Sequence, residues 1–199
     1  ELAIFYAGGI NVPLSVKLEE SSDLSFRLIH ADVVLLMVTE RQLSKIRAIK
    51  DKLPMLRHII VFEPEGELQI GELSSEYIFE VGKKYLEDNY TSFLEIGKSL
   101  QNNDIATITY TSGTTADPKG VVLTHRNYTA NVEQSLTCMT IPVGYKNVII
   151  LPLDHCFAHV VGFYIMIASG AIVATVQQGK SAMETLKNIP LNIKEVKPN

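Results

Sequence analysis

Hydrophobic and polar positions alternate along this chain in two distinct periods. Val33–Val38 is an unbroken apolar run, the pattern of a strand covered on both faces. From Glu40 to Leu53 the apolar residues Leu43, Ile46, Ile49 and Leu53 recur at three- and four-residue steps. That spacing predicts one stripe of a helix, stopped by Pro54. His58–Phe62 is apolar again and predicts the next strand. Strand, helix and strand at this separation predict a βαβ unit, whose right-handed crossover builds a parallel sheet. Ahead of it, Asn11–Leu14 predicts a short strand, and Ser22–Ala31 a helix opened by serine and aspartate.

The same alternation continues downstream. The acidic, turn-rich stretch Glu63–Gly71 predicts a loop, and Ser75–Leu100 a long helix broken around Asn89. Ile105–Tyr110 and Val121–Thr124 predict strands separated by a polar segment, and His125–Met139 a helix. Asn147–Leu151 then predicts a strand, Phe157–Ala168 a helix, Ala171–Val176 a strand and Ala182–Lys187 the start of another helix. The class expected is α/β, with mostly parallel sheets and helices on both faces. A polar linker at Gln101–Asp104 divides it into a first αβ part, 1–101, and a second, 102–199. Val160–Val176 carries no charge, but Ser169 and Gly170 interrupt it and a β-branched run follows. A buried helix, a tight turn and a strand account for it better than a membrane span of about 20 residues.

Composition narrows the function classes. The 199 residues are 46% hydrophobic and 20% charged, with a net charge of −4. No basic stripe interleaved with aromatics is present, so nucleic acid is not an expected partner. The two cysteines, Cys138 and Cys156, lack metal-ligand spacing and read as reduced, buried thiols of a cytoplasmic protein. His30 and His58 read as structural, and the Lys and Arg residues of Arg41–Lys52 as the solvated face of a helix. The chain starts at Glu1 within an apolar stretch, without a signal-peptide pattern, and both ends fit a stretch cut from a longer protein. An apolar face that packs on the remainder would then be exposed, and self-association is expected of the piece.

The chemistry concentrates where the Ile105–Tyr110 strand ends. Thr111, Ser112, Gly113, Thr114 and Thr115 follow, then Ala116, Asp117, Pro118, Lys119 and Gly120. Hydroxyls and backbone N–H groups donate to phosphate oxygens, Gly113 lets the backbone approach closely, and Lys119 adds a cation. A Walker A loop needs glycine before its lysine, whereas Pro118 precedes Lys119 and Gly120 follows it.

Tyr-Thr-Ser-Gly-Thr-Thr-x-x-Pro-Lys-Gly, from Tyr110 to Gly120, followed by Val-x-Leu-Thr-His-x-Asn, resembles the AMP-binding signature of the adenylate-forming superfamily. The likeness is greatest to long-chain fatty acid–CoA ligases, and the chain resembles part of their large N-terminal domain. It implies that Thr111, Ser112, Gly113, Thr114, Thr115 and Lys119 hold the β- and γ-phosphates of ATP, with Thr111 also near Mg²⁺. A second segment, Leu151-Pro-Leu-Asp-His155, resembles the superfamily's Leu-Pro-Leu-x-His stretch, which implies that His155 lies near the carboxylate being activated. His159 matches weakly and reads as structural. The sequence departs from the signature at Ala116, where the family usually has glycine.

The resemblance implies a two-step reaction. A fatty acid carboxylate attacks ATP to give acyl-adenylate, and coenzyme A then displaces AMP. ATP, the fatty acid and coenzyme A are the partners implied, the coenzyme A site falling mostly outside this stretch. The family's adenine, ribose and lid motifs are absent from these residues, so the chain alone is expected to be inactive. The location expected is cytoplasmic, with peripheral membrane contact left open. Two alternatives stand beside the fatty acid ligase: a non-catalytic nucleotide-binding module, and an adenylate-forming enzyme for another acid.

Overall fold

A computed structural model describes residues 1–16, 18–111, 118–153, 157–179 and 181–199. The chain forms two compact units, Glu1–Thr124 and His125–Asn199. The division falls between Thr124 and His125, later than the polar linker at 101–104, because the segment after the linker bonds back to the start of the chain. Asn11 forms a parallel bridge to Thr107, its N–H donating to the Ala106 carbonyl at 2.9 Å. That bridge is all that remains of the strand expected at Asn11–Leu14.

The first unit opens with helices α1 (Leu2–Tyr6) and α2 (Ser21–His30). A three-stranded parallel sheet follows, in the order β1 (Leu35–Thr39), β2 (His58–Phe62), β3 (Glu72–Ser74). Helix α3 (Glu40–Arg47) and a 3₁₀ turn at Lys50–Lys52 make the β1–β2 crossover. The apolar stripe expected there is buried in full: Leu43, Ile46, Ile49 and Leu53 pack with Leu24 and Leu28 of α2, Val38 of β1, and Ile59 and Val61 of β2. Ile60 points the other way and is buried too, so only the central strand is covered on both faces. β1 departs from expectation. Leu35 and Met37 are each 40% exposed, so the face of β1 that they share is left uncovered, and β1 also lies at the sheet edge.

Helix α4 (Ser75–Ser99) is capped by the Ser74 hydroxyl, which accepts from the Tyr77 N–H at 3.1 Å. It breaks at Asn89 (φ −124°, ψ 18°), as the sequence predicts. The cause is local: the Asn89 side-chain amide donates to the Tyr85 carbonyl at 3.0 Å, competing with the helical ladder. The unit ends with β4 (Ile105–Tyr110) and β5 (Gly120–Thr124), paired antiparallel in an otherwise parallel architecture.

The second unit contains α5 (His125–Cys138), a parallel pair β6 (Lys146–Ile149) and β7 (Ile172–Thr175), and α7 (Ala182–Val196). The β6–β7 crossover holds a π-helical stretch at Ala158–Tyr164 and helix α6 (Ile165–Ala168). The widened turns have a partner in β6, where the Asn147 side-chain amide donates to the Gly162 carbonyl at 3.0 Å. α7 runs well beyond the expected Lys187, across Pro190, with the Ser181 hydroxyl capping its start. No helix among the described residues is long and apolar enough to cross a membrane. Cys138 is exposed, not buried as expected, and Cys156 lies outside the described residues.

Candidate phosphate-binding site

Alternation along β4 decides what faces where. Ala106, Ile108 and Tyr110 share one face, while Thr107 and Thr109 share the other, and Ala106, Thr107 and Tyr110 are all buried, so the strand is packed on both sides. Tyr110 pairs with Gly120 at the far end of the hairpin. One residue farther out, the Thr111 N–H donates to the Lys119 carbonyl at 3.0 Å. The signature segment thus leaves one strand and returns to its neighbour, with both ends held together. Thr111 and Lys119 are exposed at the mouth of the return. Ser112, Gly113, Thr114 and Thr115 lie outside the described residues, as does Ala116.

The base of this return is tied to α2. The Tyr110 hydroxyl donates to the Arg27 carbonyl at 3.3 Å and lies 2.8 Å from His30 Nδ1. A phenol has one proton, so with that proton on Arg27 the second bond requires an N–H on Nδ1. The Arg27 guanidinium carbon sits 5.4 Å from the Tyr110 ring centroid, within cation–π range. Arg27 is itself held by both Asp23 carboxylate oxygens, at 2.9 and 3.1 Å. Phe26 stacks on the His30 ring, with centroids 5.5 Å apart. Burial pushes the Tyr110 phenol above its ordinary pKa, and the nearby Arg27 charge offsets part of that rise. The other side of the ring explains Gly120: a Cβ there would sit 3.0 Å from Ile108 Cγ2 and 3.5 Å from two Tyr110 ring carbons. Sequence reading assigned His30 no role at the site and passed over Arg27, since nothing in the chain order relates α2 to a strand 80 residues away.

His155 also lies outside the described residues. Its neighbourhood belongs to the second unit, where Leu151 and Leu153 are exposed and His159 is buried. His159 packs between Tyr128 of α5 and Tyr164, at centroid distances of 5.6 and 5.1 Å. Those contacts agree with a packing role for this histidine. No group of three or more His, Cys, Asp or Glu side chains among the described residues could hold a metal ion.

Comparison with known proteins adds three kinds of finding. The family described as AMP-binding enzyme matches residues 1–199. Among curated relatives, the long-chain-fatty-acid–CoA ligase ACSBG2 of Xenopus laevis is 27% identical, over 83% of this chain and 22% of its own length. The peroxisomal acyl-CoA ligase 891 of Penicillium roqueforti is 32% identical, over 65% of this chain and 20% of its own length. The chain therefore spans about a quarter or less of the relatives it matches. Among solved structures, the anthranilate CoA ligase AuaEII in complex with anthranoyl-AMP superposes with a TM-score of 0.69. It is 22% identical, and the match covers 96% of this chain and 34% of that one. At that identity the likeness is one of fold.

Proposed function

Because the chain belongs to the family of AMP-binding enzymes, we propose that it is the polyphosphate-gripping part of an ATP-dependent fatty acid–CoA ligase. The observation that carries this reading is the closed return at Tyr110–Gly120, which brings Thr111 and Lys119 together around a segment of hydroxyl side chains. A fatty acid, in preference to another acid, is supported by the long-chain-fatty-acid–CoA ligases among the relatives and by the Leu-Pro-Leu-Asp-His155 segment.

In this reading a carboxylate oxygen of the fatty acid attacks the α-phosphorus of ATP, and pyrophosphate leaves. The thiolate of coenzyme A then attacks the acyl carbon, and AMP leaves. The work of this chain falls mainly on the first step, where catalysis is chiefly positioning and neutralisation of charge. Lys119 sets a cation beside the β- and γ-phosphates. Thr111, Ser112, Thr114 and Thr115 supply hydroxyl donors, and Gly113 leaves room for the backbone to approach. His155 orients the carboxylate for in-line attack. Magnesium sites of this kind take few protein ligands, the rest being water and phosphate oxygens, so one exposed hydroxyl at Thr111 fits the ion. When bound, Mg²⁺ supplies charge neutralisation on the departing pyrophosphate.

Calorimetric titration of the chain with Mg–ATP tests the loop. Lys119→Ala is expected to weaken binding about tenfold, and equal affinity in the two proteins would refute the assignment. The chain by itself is expected to bind without adenylating, so clear ATP–pyrophosphate exchange by these 199 residues would overturn the division of labour.

A further inference from the structure

We infer that Tyr110, held by His30 and Arg27 of α2, is a positioning residue that sets the two stems of the phosphate loop for binding polyphosphate. This rests on the loop reading proposed above and adds three residues to it, none of which touches the nucleotide in that reading.

The stems are adjacent in structure. Tyr110 closes β4, Gly120 opens β5 opposite it, and Thr111 and Lys119 bond to each other at the mouth. Whatever fixes the Tyr110 ring fixes the strand end from which Thr111 departs. Through the pairing of Tyr110 with Gly120, it also fixes the strand start to which Lys119 is attached. Three contacts from α2 fix that ring: the Nδ1 of His30 at 2.8 Å, the Arg27 carbonyl at 3.3 Å and the Arg27 guanidinium over the ring face at 5.4 Å. Arg27 cannot swing away freely, because Asp23 holds it in a two-point pair. α2 in turn is seated in the main core through Leu24 and Leu28. A rigid line therefore runs from the buried sheet through α2 to the loop base. Order provided before binding need not be imposed by the ligand, and it appears as affinity.

The experiment titrates the full chain with magnesium tripolyphosphate, a probe of the phosphate grip alone. Four proteins are compared with wild type at a temperature where circular dichroism shows all to be folded: Tyr110→Phe, His30→Ala, the double variant and His30→Asn. Tyr110→Phe keeps the ring under Arg27 and removes only the hydroxyl. Its affinity is expected to fall about three- to tenfold, because only part of what its two hydrogen bonds contribute is transmitted to the stems. His30→Ala is expected to fall in the same direction. Losses in the double variant should be less than additive, because both singles delete the same bond. His30→Asn places an amide N–H near the position of Nδ1 and should return affinity to within about twofold of wild type. A purely structural role would lower the melting temperature and leave these dissociation constants unchanged.

Lys119→Ala, run alongside, separates the two claims. Loss of binding in Lys119→Ala with unchanged affinity in Tyr110→Phe and His30→Ala overturns the positioning role and leaves the loop standing. Additive losses in the double variant, or no rescue by asparagine, overturn it as well. No binding by wild type, or none lost in Lys119→Ala, removes the loop reading and the inference with it.

Discussion

Replacing Glu72 by glutamine is expected to destabilise the first unit by about 2 kcal/mol at neutral pH, and the loss should disappear in acid. The Glu72 carboxylate, in β3, has no solvent contact. Arg47 Nε donates to one oxygen at 2.9 Å, while Arg47 Nη2 and the Gln69 N–H donate to the other at 2.7 and 2.8 Å. Arg47 also donates to the Glu67 carbonyl and Lys50 to that of Ile70, so this cluster pins the whole 63–71 connection against the end of α3. Glutamine keeps the shape and one acceptor, loses the charge on both arginine bonds, and turns an NH₂ toward the guanidinium. Charge-assisted bonds contribute about 1.5–3 kcal/mol each. The covering Arg47 side chain is 30% exposed, so solvent screens the pair and the lower part of that range applies.

The pH dependence follows from the direction of the shift. The hydrogen bond from Arg47, then that from the Gln69 N–H, hold the Glu72 carboxyl below its usual value against the opposing effect of burial. A carboxyl with a depressed native pKa contributes its full stabilisation above the unfolded-state value of about 4.3 and loses it as pH falls through the native one. Urea unfolding followed by circular dichroism should show the wild-type midpoint about 1 M above that of Glu72→Gln at pH 7. The gap should shrink from about pH 4.5 downward. Glu76 is depressed in the same direction by its own N–H, Ser75 and Ser74, but it is present in both proteins and cancels in the difference. Equal midpoints at pH 7, or a gap that persists undiminished at pH 3, would refute the pair as a source of stability.

Gly120→Ala puts a methyl 3.0 Å from Ile108 Cγ2 and against the Tyr110 ring. It is expected to cost about 1–2 kcal/mol by thermal unfolding and to weaken Mg–ATP binding at temperatures where the protein is folded; unchanged affinity would show that the ring does not govern the stems. Pro190→Ala restores an N–H in the interior of α7 at an exposed position, and should raise stability by about 1–3 kcal/mol with a gain in helical dichroism. A loss of stability there would mean that the helix depends on the ring for packing.

What was legible in the sequence was whatever depended on local period or local chemistry. The Leu43, Ile46, Ile49, Leu53 stripe identified the buried side of the crossover, and the break at Asn89 followed from a side chain that competes with its own backbone. Position within the sheet was not legible. Val33–Val38 reads as a strand covered on both sides, yet it lies at an edge, and its period says nothing about neighbours. The three-residue β3 is too short to show alternation. The basic residues of the α3 segment read as a solvated face, but Lys45, Arg47 and Lys50 each donate to a distant carbonyl or carboxylate. Long side chains reach around a helix, and a wheel of positions does not record where they end. At the candidate site the signature announced the loop, while the tie to α2 needed coordinates.

The antiparallel pairing of β4 with β5 bears on how such a loop can hold phosphate. Where a strand passes through a glycine-rich turn into a helix, the helix N-terminus supplies oriented N–H groups and a partial positive charge. Here the described chain on either side of the signature segment is paired as strands, β4 with β5, and α5 begins at His125. Neighbouring strand dipoles largely cancel, so the hairpin offers little field of its own. In the proposed reading, attraction for a polyanion comes from hydroxyl donors, from loop amides, from the Lys119 cation and from any metal that accompanies the substrate. With few sources of positive potential, each matters more, and the geometry of the stems decides whether they converge. A hairpin favours that convergence, since both ends of the loop are fixed by one bonded pair, Thr111 to Lys119, and one buried ring beneath it. Removing the cation should therefore act on binding free energy directly, whereas loosening the ring should act through the entropy of ordering the loop. Calorimetry separates the two: enthalpy falls in the first case, and in the second the entropic penalty grows at similar enthalpy. Identical signatures for Lys119→Ala and Tyr110→Phe would show that charge and positioning are not distinct functions in this hairpin.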